Sequence, residues 1–144
     1  MNTPLPINFE KVVLEDQILA EIIWSSIEIE KTTFFSNESS PIQIGIMLHR
    51  NNFIEPPHTH PMQFRPSTET QQAFVVLEGQ IEVDFFTSKG ELFRTVVLNK
   101  NDSILIISGM HRIRVKEFSK CFTVKQGPFD INNDKIEFSG DLID

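Results

Sequence analysis

The chain has a single cysteine, Cys121, no tyrosine and no long apolar run. One thiol excludes an intrachain disulfide. Set in the apolar segment CFTV, Cys121 reads as a small buried hydrophobe. Without tyrosine there is no phenol to serve as acid or base. No apolar stretch approaches the roughly 20 residues that span a bilayer, so no membrane partner is expected. The opening MNTPLPINFEKVV lacks a basic stretch followed by an apolar one, which leads us to expect no secretory signal and a cytoplasmic protein. Positive charge is scarce too: 13 Lys and Arg against 20 Asp and Glu give a net charge of −7. Nucleic-acid binding needs a basic footprint, so that class of partner is not expected. A local pocket can differ from the global balance, and Arg65, Arg112 and Arg114 lie close in sequence to the histidines discussed below.

What is present is strand signal. At 144 residues the chain fits one domain able to bury its own core. In IQIGIMLHR (Ile42–Arg50), Ile42, Ile44, Ile46 and Leu48 fall on one face. AFVVLEG (Ala73–Gly79) reads as a buried strand ending in a glycine turn. QIEVDFFTS (Gln80–Ser88) sets Ile81, Val83 and Phe85 against Glu82 and Asp84. Ser88-Lys89-Gly90-Glu91 reads as a hairpin turn into ELFRTVVLN, and Lys100-Asn101-Asp102 as another turn. SILII, HRIRVKE and CFTVKQG complete the series. Short strands punctuated by turns about every 8–12 residues predict an all-β fold, a single antiparallel β-barrel or jelly roll. Over residues 1–40 the segment is irregular or partly helical. Glu15–Ser25 has helical spacing at Ile18, Leu19, Ile22 and Ile23 but is short and β-branched, so a helix and an outer strand both remain open. The expected organisation is an N-terminal segment (1–40) packed on the barrel (41–129), then a polar tail (130–144).

Three of the four histidines carry chemistry. His58 and His60 form an H-x-H pair, and residues i and i+2 of an extended chain share a face, so their rings converge. Pro56, Pro57 and Pro61 stiffen the backbone around them. Neutral imidazole is the commonest ligand for transition metals. In HRIRVKE, parity places His111 with Ile113 and Val115, opposite Arg112, Arg114 and Lys116. The apolar face is the interior one, so His111 is expected to point inward. His58, His60 and His111 are therefore the candidate metal ligands. His49, next to Leu48, is read as structural, and the thirteen phenylalanines as core and interface filling.

The segment from Asn52 through His58-Thr59-His60 to Val75-Val76-Leu77-Glu78-Gly79 resembles the first motif of the cupin superfamily, G-x5-H-x-H-x3,4-E-x6-G. Asn101 through Ser108-Gly109-Met110-His111 resembles the second, G-x5-P-x-G-x2-H-x3-N. The resemblance covers roughly residues 42–127. More narrowly, GIMLH, EVDFF and VKQGPF resemble small cupins of bacterial surface-polysaccharide gene clusters. The departures are specific. Asn52 and Asn101 replace the leading glycines, which is tolerable because Asn enters the left-handed region readily. Ile107 replaces the proline, His111 comes one residue early, and the loop from Pro61 to Thr70 is long. Gln72 stands where the family pattern has glutamate.

The resemblance implies one divalent metal (Zn, Fe, Ni or Mn) on His58, His60 and His111, completed by Gln72, by Glu69 on the long loop, or by water. Without the carboxylate the ion's charge stays uncompensated, which favours an anionic ligand. Arg65, Met47 and Met110 are candidate substrate contacts. No catalytic residue and no organic-cofactor site is assigned. Three readings follow. One is a metal-dependent enzyme acting on a small polar molecule such as a sugar derivative, by isomerisation, epimerisation or dioxygenation. The second is a non-catalytic binding module for a small-molecule ligand. The third is a structural protein with a vestigial site. The missing tyrosine disfavours epimerases of this superfamily that use a His/Tyr pair. A homodimer is expected under all three, because cupins often pair through an outer sheet and ILAEIIW could extend a neighbour's edge.

Overall fold

The structure, a computed structural model, describes residues 8–144. Ten strands make it up, and among the described residues there is no helix, hence none long and apolar enough to cross a membrane. Strands β1 (Phe9–Leu14), β2 (Gln17–Ile23), β5 (Gln72–Gly79), β8 (Ser103–Ile106) and β10 (Ser119–Lys125) form one sheet in the order β1-β2-β8-β5-β10. Strands β6 (Ile81–Phe86), β7 (Leu92–Leu98) and β9 (Met110–Arg114) form a second, β7-β6-β9. The short strands β3 (Thr33–Phe34) and β4 (Gly45–Ile46) pair with each other. Every pairing within these sheets is antiparallel, and none of the described sheets closes on itself into a barrel.

Alternation explains the layering. Val12, Leu19, Val76, Ile104 and Ile106 of the larger sheet meet Ile81, Val83, Phe85, Val96 and Leu98 of the smaller one in one apolar core. Burial of this kind, at roughly 25 cal/mol per Å² of apolar surface, is the main favourable term in folding. A satellite cluster of Phe9, Ile23 and Phe35, with Ile44 and Ile46 against it, anchors the β3–β4 pair.

The turns obey backbone sterics. Gly79 ends β5 at φ +75, and a Cβ there would lie 2.0 Å from the Phe118 carbonyl oxygen. Gly109 precedes His111 at φ +83, against the Leu19 side chain. Asn52 and Asn101 also have positive φ (65 and 71), so asparagine fills a left-handed position at both sites where the motif has glycine. The Asp102 carboxylate accepts from the amides of Asn99 (2.8 Å) and Ser25 (2.7 Å), pinning the turn before β8 to the chain leaving β2.

Besides the open sheets where a closed barrel was expected, two further sequence expectations change. Residues 17–23 are strand β2, so the helical alternative fails; the strand is an inner one rather than an outer one, flanked by β1 and β8, and ILAEIIW therefore offers no free edge to a neighbour. Pairing with β8 decides it: Ala20, Ile22 and Ile23 sit opposite Ile106, Ile104 and Ser103, and β-branched residues suit that pleated surface. The strand expected over residues 42–50 shrinks to Gly45–Ile46, since only Thr33–Phe34 offers it partners.

Candidate metal-ligand residues and an open cleft

The two sheets part around a cleft of about 830 Å³. Gln72 and Ile106 line it from the larger sheet, and Phe86, Met110, His111 and Ile113 from the smaller one. Its remaining wall is the C-terminal tail, including Lys135, Ile136 and Phe138.

Strand register fixes how His111 faces this space. His111 lies opposite Phe85, and Ile113 opposite Val83, and both β6 residues are completely buried. Paired residues of an antiparallel ladder share a face, so His111 is on the core side of its sheet, as parity predicts. It is nonetheless exposed, and Ile113 is 40% exposed, because β9 is the outer strand of its sheet at the open cleft. The His111 Nδ1 lies 3.1 Å from the Gly109 carbonyl oxygen. With Nδ1–H donating to that carbonyl, Nε2 carries the free lone pair.

His58 is oriented in the same way. Its Nδ1 is 3.0 Å from the Pro56 carbonyl oxygen, with Glu55 at 3.9 Å. The His58 and His60 rings stand edge to face with centres 5.1 Å apart. Two imidazoles bound to one ion through nitrogen–metal bonds of about 2.1 Å hold their centres roughly 5 Å apart. Backbone carbonyls that fix the tautomer of a ligating histidine are the usual support of metal sites. The centre spacing of this pair is that of two ligands of one ion, and no third ligand joins them among the described residues.

The structure brings Gln72, Met110 and His111 to the cleft and leaves the other candidates elsewhere. The Gln72 amide nitrogen donates to Thr123 Oγ1 at 3.0 Å. His58 and His60 lie in a segment, residues 47–70, that is exposed at every position and contains no strand. Among the described residues no three His, Cys, Asp or Glu side chains converge as a metal site would require. Arg65 donates to Gln63 and, with Glu69, lines a separate polar hollow of about 370 Å³ beside Thr70 and Asp130. Met47 is exposed at the foot of the segment, and His49 stacks on Phe53 with centres 4.1 Å apart.

Two features escaped sequence reasoning. The tail is a cleft wall, held by Lys125 on Asp134 (2.7 Å), by Arg112 on Asp144 (3.0 Å) and by the Leu92 amide donating to the Ile143 carbonyl. Ile136, Phe138 and Leu142 were the available signal in that polar stretch. The other is Asp84, which alternation placed on the side away from the core but which is fully buried there. It accepts from Arg114, Arg112 and Thr95, while Glu82 pairs with Arg114 and Lys116. The signal was E-x-D on one strand facing R-x-R-x-K on another. Arg114 above all holds the Asp84 carboxyl well below the usual carboxylate range, against the opposing effect of burial. Arg112 and Arg114 thus brace the outer face of β6–β9 and hold that sheet beneath His111.

Comparison with family models, with curated proteins and with solved structures finds no match for this chain.

Proposed function

We propose that this chain is a cupin-type jelly roll in which His58, His60 and His111, with Gln72 as a neutral oxygen donor, hold one divalent metal and bind a small anionic molecule, a sugar derivative, for isomerisation or epimerisation. The observation that carries the reading is the shared orientation of His58 and His111. Each has its Nδ1 against a backbone carbonyl two residues earlier, leaving Nε2 as the ligand atom. Two antiparallel sheets over one core, with left-handed Asn52 and Asn101 at the glycine positions of both motifs, agree with it. A bound ion supplies Lewis acidity, polarising a carbonyl or hydroxyl oxygen. The chain's own residues supply the rest. Ile106, Ile113 and Phe138 give the cleft apolar walls that reduce the water around a bound ligand, and Lys135 offers a cation for its anionic group.

Elemental analysis of protein purified without a histidine tag tests the metal, and incubation with a panel of nucleotide sugars tests the turnover. Stoichiometric transition metal and a converted sugar are expected. Absence of metal after loading, or a loaded protein that converts none of the panel, refutes the corresponding half. A second reading, ligand binding without turnover, is favoured by the Gln72 amide, which already donates to Thr123, and by the lack of tyrosine. Saturable sugar binding with no product supports it.

A further inference from the structure

Strand β10 is an edge of the larger sheet, paired among the described residues with β5 alone. Two backbone bonds fix which of its groups face outward. The Gln126 amide donates to the Gln71 carbonyl at one end, and the Gln80 amide donates to the Phe118 carbonyl at the other. Along an antiparallel strand, residues that bond to a given neighbour alternate with residues that do not. Even-numbered residues from Phe118 to Gln126 therefore bond toward β5. Ser119, Cys121, Thr123 and Lys125 turn their N–H and C=O groups away from it. The extra residue of the β5–β10 bulge lies on β5, since Lys120 is opposite Glu78 and Cys121 opposite Val76. The β10 edge itself runs unbroken.

The outer face beside this edge is uncovered as well. Cys121 packs on the core, so Phe122 and Val124 stand on the opposite face. Phe122 ends a cross-strand row that runs Phe9, Ile23, Ser103, Val75, Phe122. Phe35 covers the Phe9–Ile23 end of that row. At the other end Phe122 is 58% exposed and its neighbour Val124 50%. The remaining edges are engaged. Arg94 donates to Glu10 and so ties β7 to β1, and β9 runs along the cleft that the tail closes. An unpaired edge lined with apolar side chains is a template for another strand.

We infer that two copies of this chain pair along β10, antiparallel about a two-fold axis at Phe122, and so join their larger sheets into one continuous sheet. A two-fold contact needs a strand complementary to itself, and β10 is. Its outward groups belong to odd-numbered residues, so odd must face odd. That rules out the register that would set Lys120 against Lys125. Overlap of the whole strand sets Ser119 of one copy against Lys125 of the other, and Cys121 against Thr123, as hydrogen-bonded pairs. Lys120 falls opposite Val124. The only charges on the strand are Lys120 and Lys125, and neither meets a like charge. Phe122 meets its own counterpart in a pair without hydrogen bonds, where side chains approach most closely. Aromatic cross-strand pairs of this kind stabilise sheets. The pairing needs no metal and stands apart from the site proposed above.

Sedimentation of the full chain in EDTA, beside Phe122→Lys, tests the pairing with metal kept out. Wild type is expected to be a dimer at micromolar concentration. Phe122→Lys sets two ammonium groups at the axis and is expected to raise the dissociation constant at least tenfold. Its far-UV circular dichroism is expected to match wild type, because Phe122 lies outside the core. Cross-linking tests the register. In a Cys121→Ser background, Phe122→Cys places two Cα atoms about 4.5 Å apart across the axis, within the range of a disulfide. Mild oxidation is expected to link more than half of that protein into dimers. Phe118→Cys in the same background lies four residues from the axis and is expected to stay unlinked. A wild-type monomer overturns the inference. So does a dimer that Phe122→Lys leaves intact, or linkage through position 118 in place of 122.

Discussion

Arg114 grips Asp84 through two nearly parallel bonds, Nε to Oδ2 at 2.6 Å and Nη2 to Oδ1 at 2.8 Å. Arg112 and Thr95 hold the same carboxylate at 2.9 and 2.7 Å. Removing the acid leaves two guanidiniums facing each other without their shared anion. Asp84→Ala is expected to cost on the order of 3 kcal/mol, read as a lower urea midpoint at pH 7.

The same pair sets the acid limb of stability. The folded Asp84 carboxyl is held below its unfolded value, first by Arg114, so its contribution is complete above the ordinary aspartate range. It is lost as the pH falls below about 4 toward the depressed folded value. Wild type is expected to lose stability steeply there, and Asp84→Asn to show a flatter profile over the same window. Equal slopes in the two proteins contradict this assignment.

Asn101 and Gly79 make opposite predictions for turn substitutions. Asn101 has φ 71, so Asn101→Gly should be near neutral and Asn101→Ala should cost about 1 kcal/mol. At Gly79 any side chain meets the Phe118 carbonyl at 2.0 Å as well as the positive φ. Gly79→Ala is expected to cost more than Asn101→Ala, about 3 kcal/mol with the β5–β6 corner distorted, as measured by denaturant midpoints.

Much of this architecture was legible because β6 and β9 alternate in sequence, β5 and β8 are short apolar runs, and Gly79, Gly90, Asn101 and Gly109 punctuate the series. The predicted strands match the observed ones to within a residue or two at most ends. Residues 17–23 were ambiguous because Ile18, Leu19, Ile22 and Ile23 satisfy both a helical and an extended pattern, and only pairing with β8 decides between them. Asp84 was read as facing away from the core, which it does. Its burial was hidden because it depends on Arg112 and Arg114, which pair with it only after β9 docks on β6. Parity gave the face of His111, but no single-strand pattern can report that the face opens into a cleft. The covering role of the tail depends on long-range ties such as Arg112 to Asp144 that no local period encodes.

Cys121 packs on the core from the bulged start of β10, and burial pushes its thiol pKa up. Its thiolate fraction at neutral pH is therefore lower than that of a free cysteine. Alkylation by iodoacetamide at pH 7.5 is expected to be at least tenfold slower in folded than in urea-unfolded protein. Equal rates would show the thiol to be open to solvent.

The tail ties should be visible by hydrogen exchange. The Leu92 amide donates to the Ile143 carbonyl at 2.8 Å, so a chain ending at Gly140 is expected to lose protection at Leu92 while Val96 and Val83, in the core, keep theirs. Unchanged protection at Leu92 would mean that the tail does not hold the cleft wall.

The most direct test is a zinc titration of untagged His111→Ala beside wild type. The ring lies across from Phe85 on the core side of β9, with Nδ1 held by Gly109, so the substitution removes a ligand without removing a core residue. The prediction is one zinc per chain in wild type and an affinity at least about 100-fold weaker in the variant, at unchanged melting temperature in metal-free buffer. Wild-type affinity retained in His111→Ala would contradict a site that includes His111.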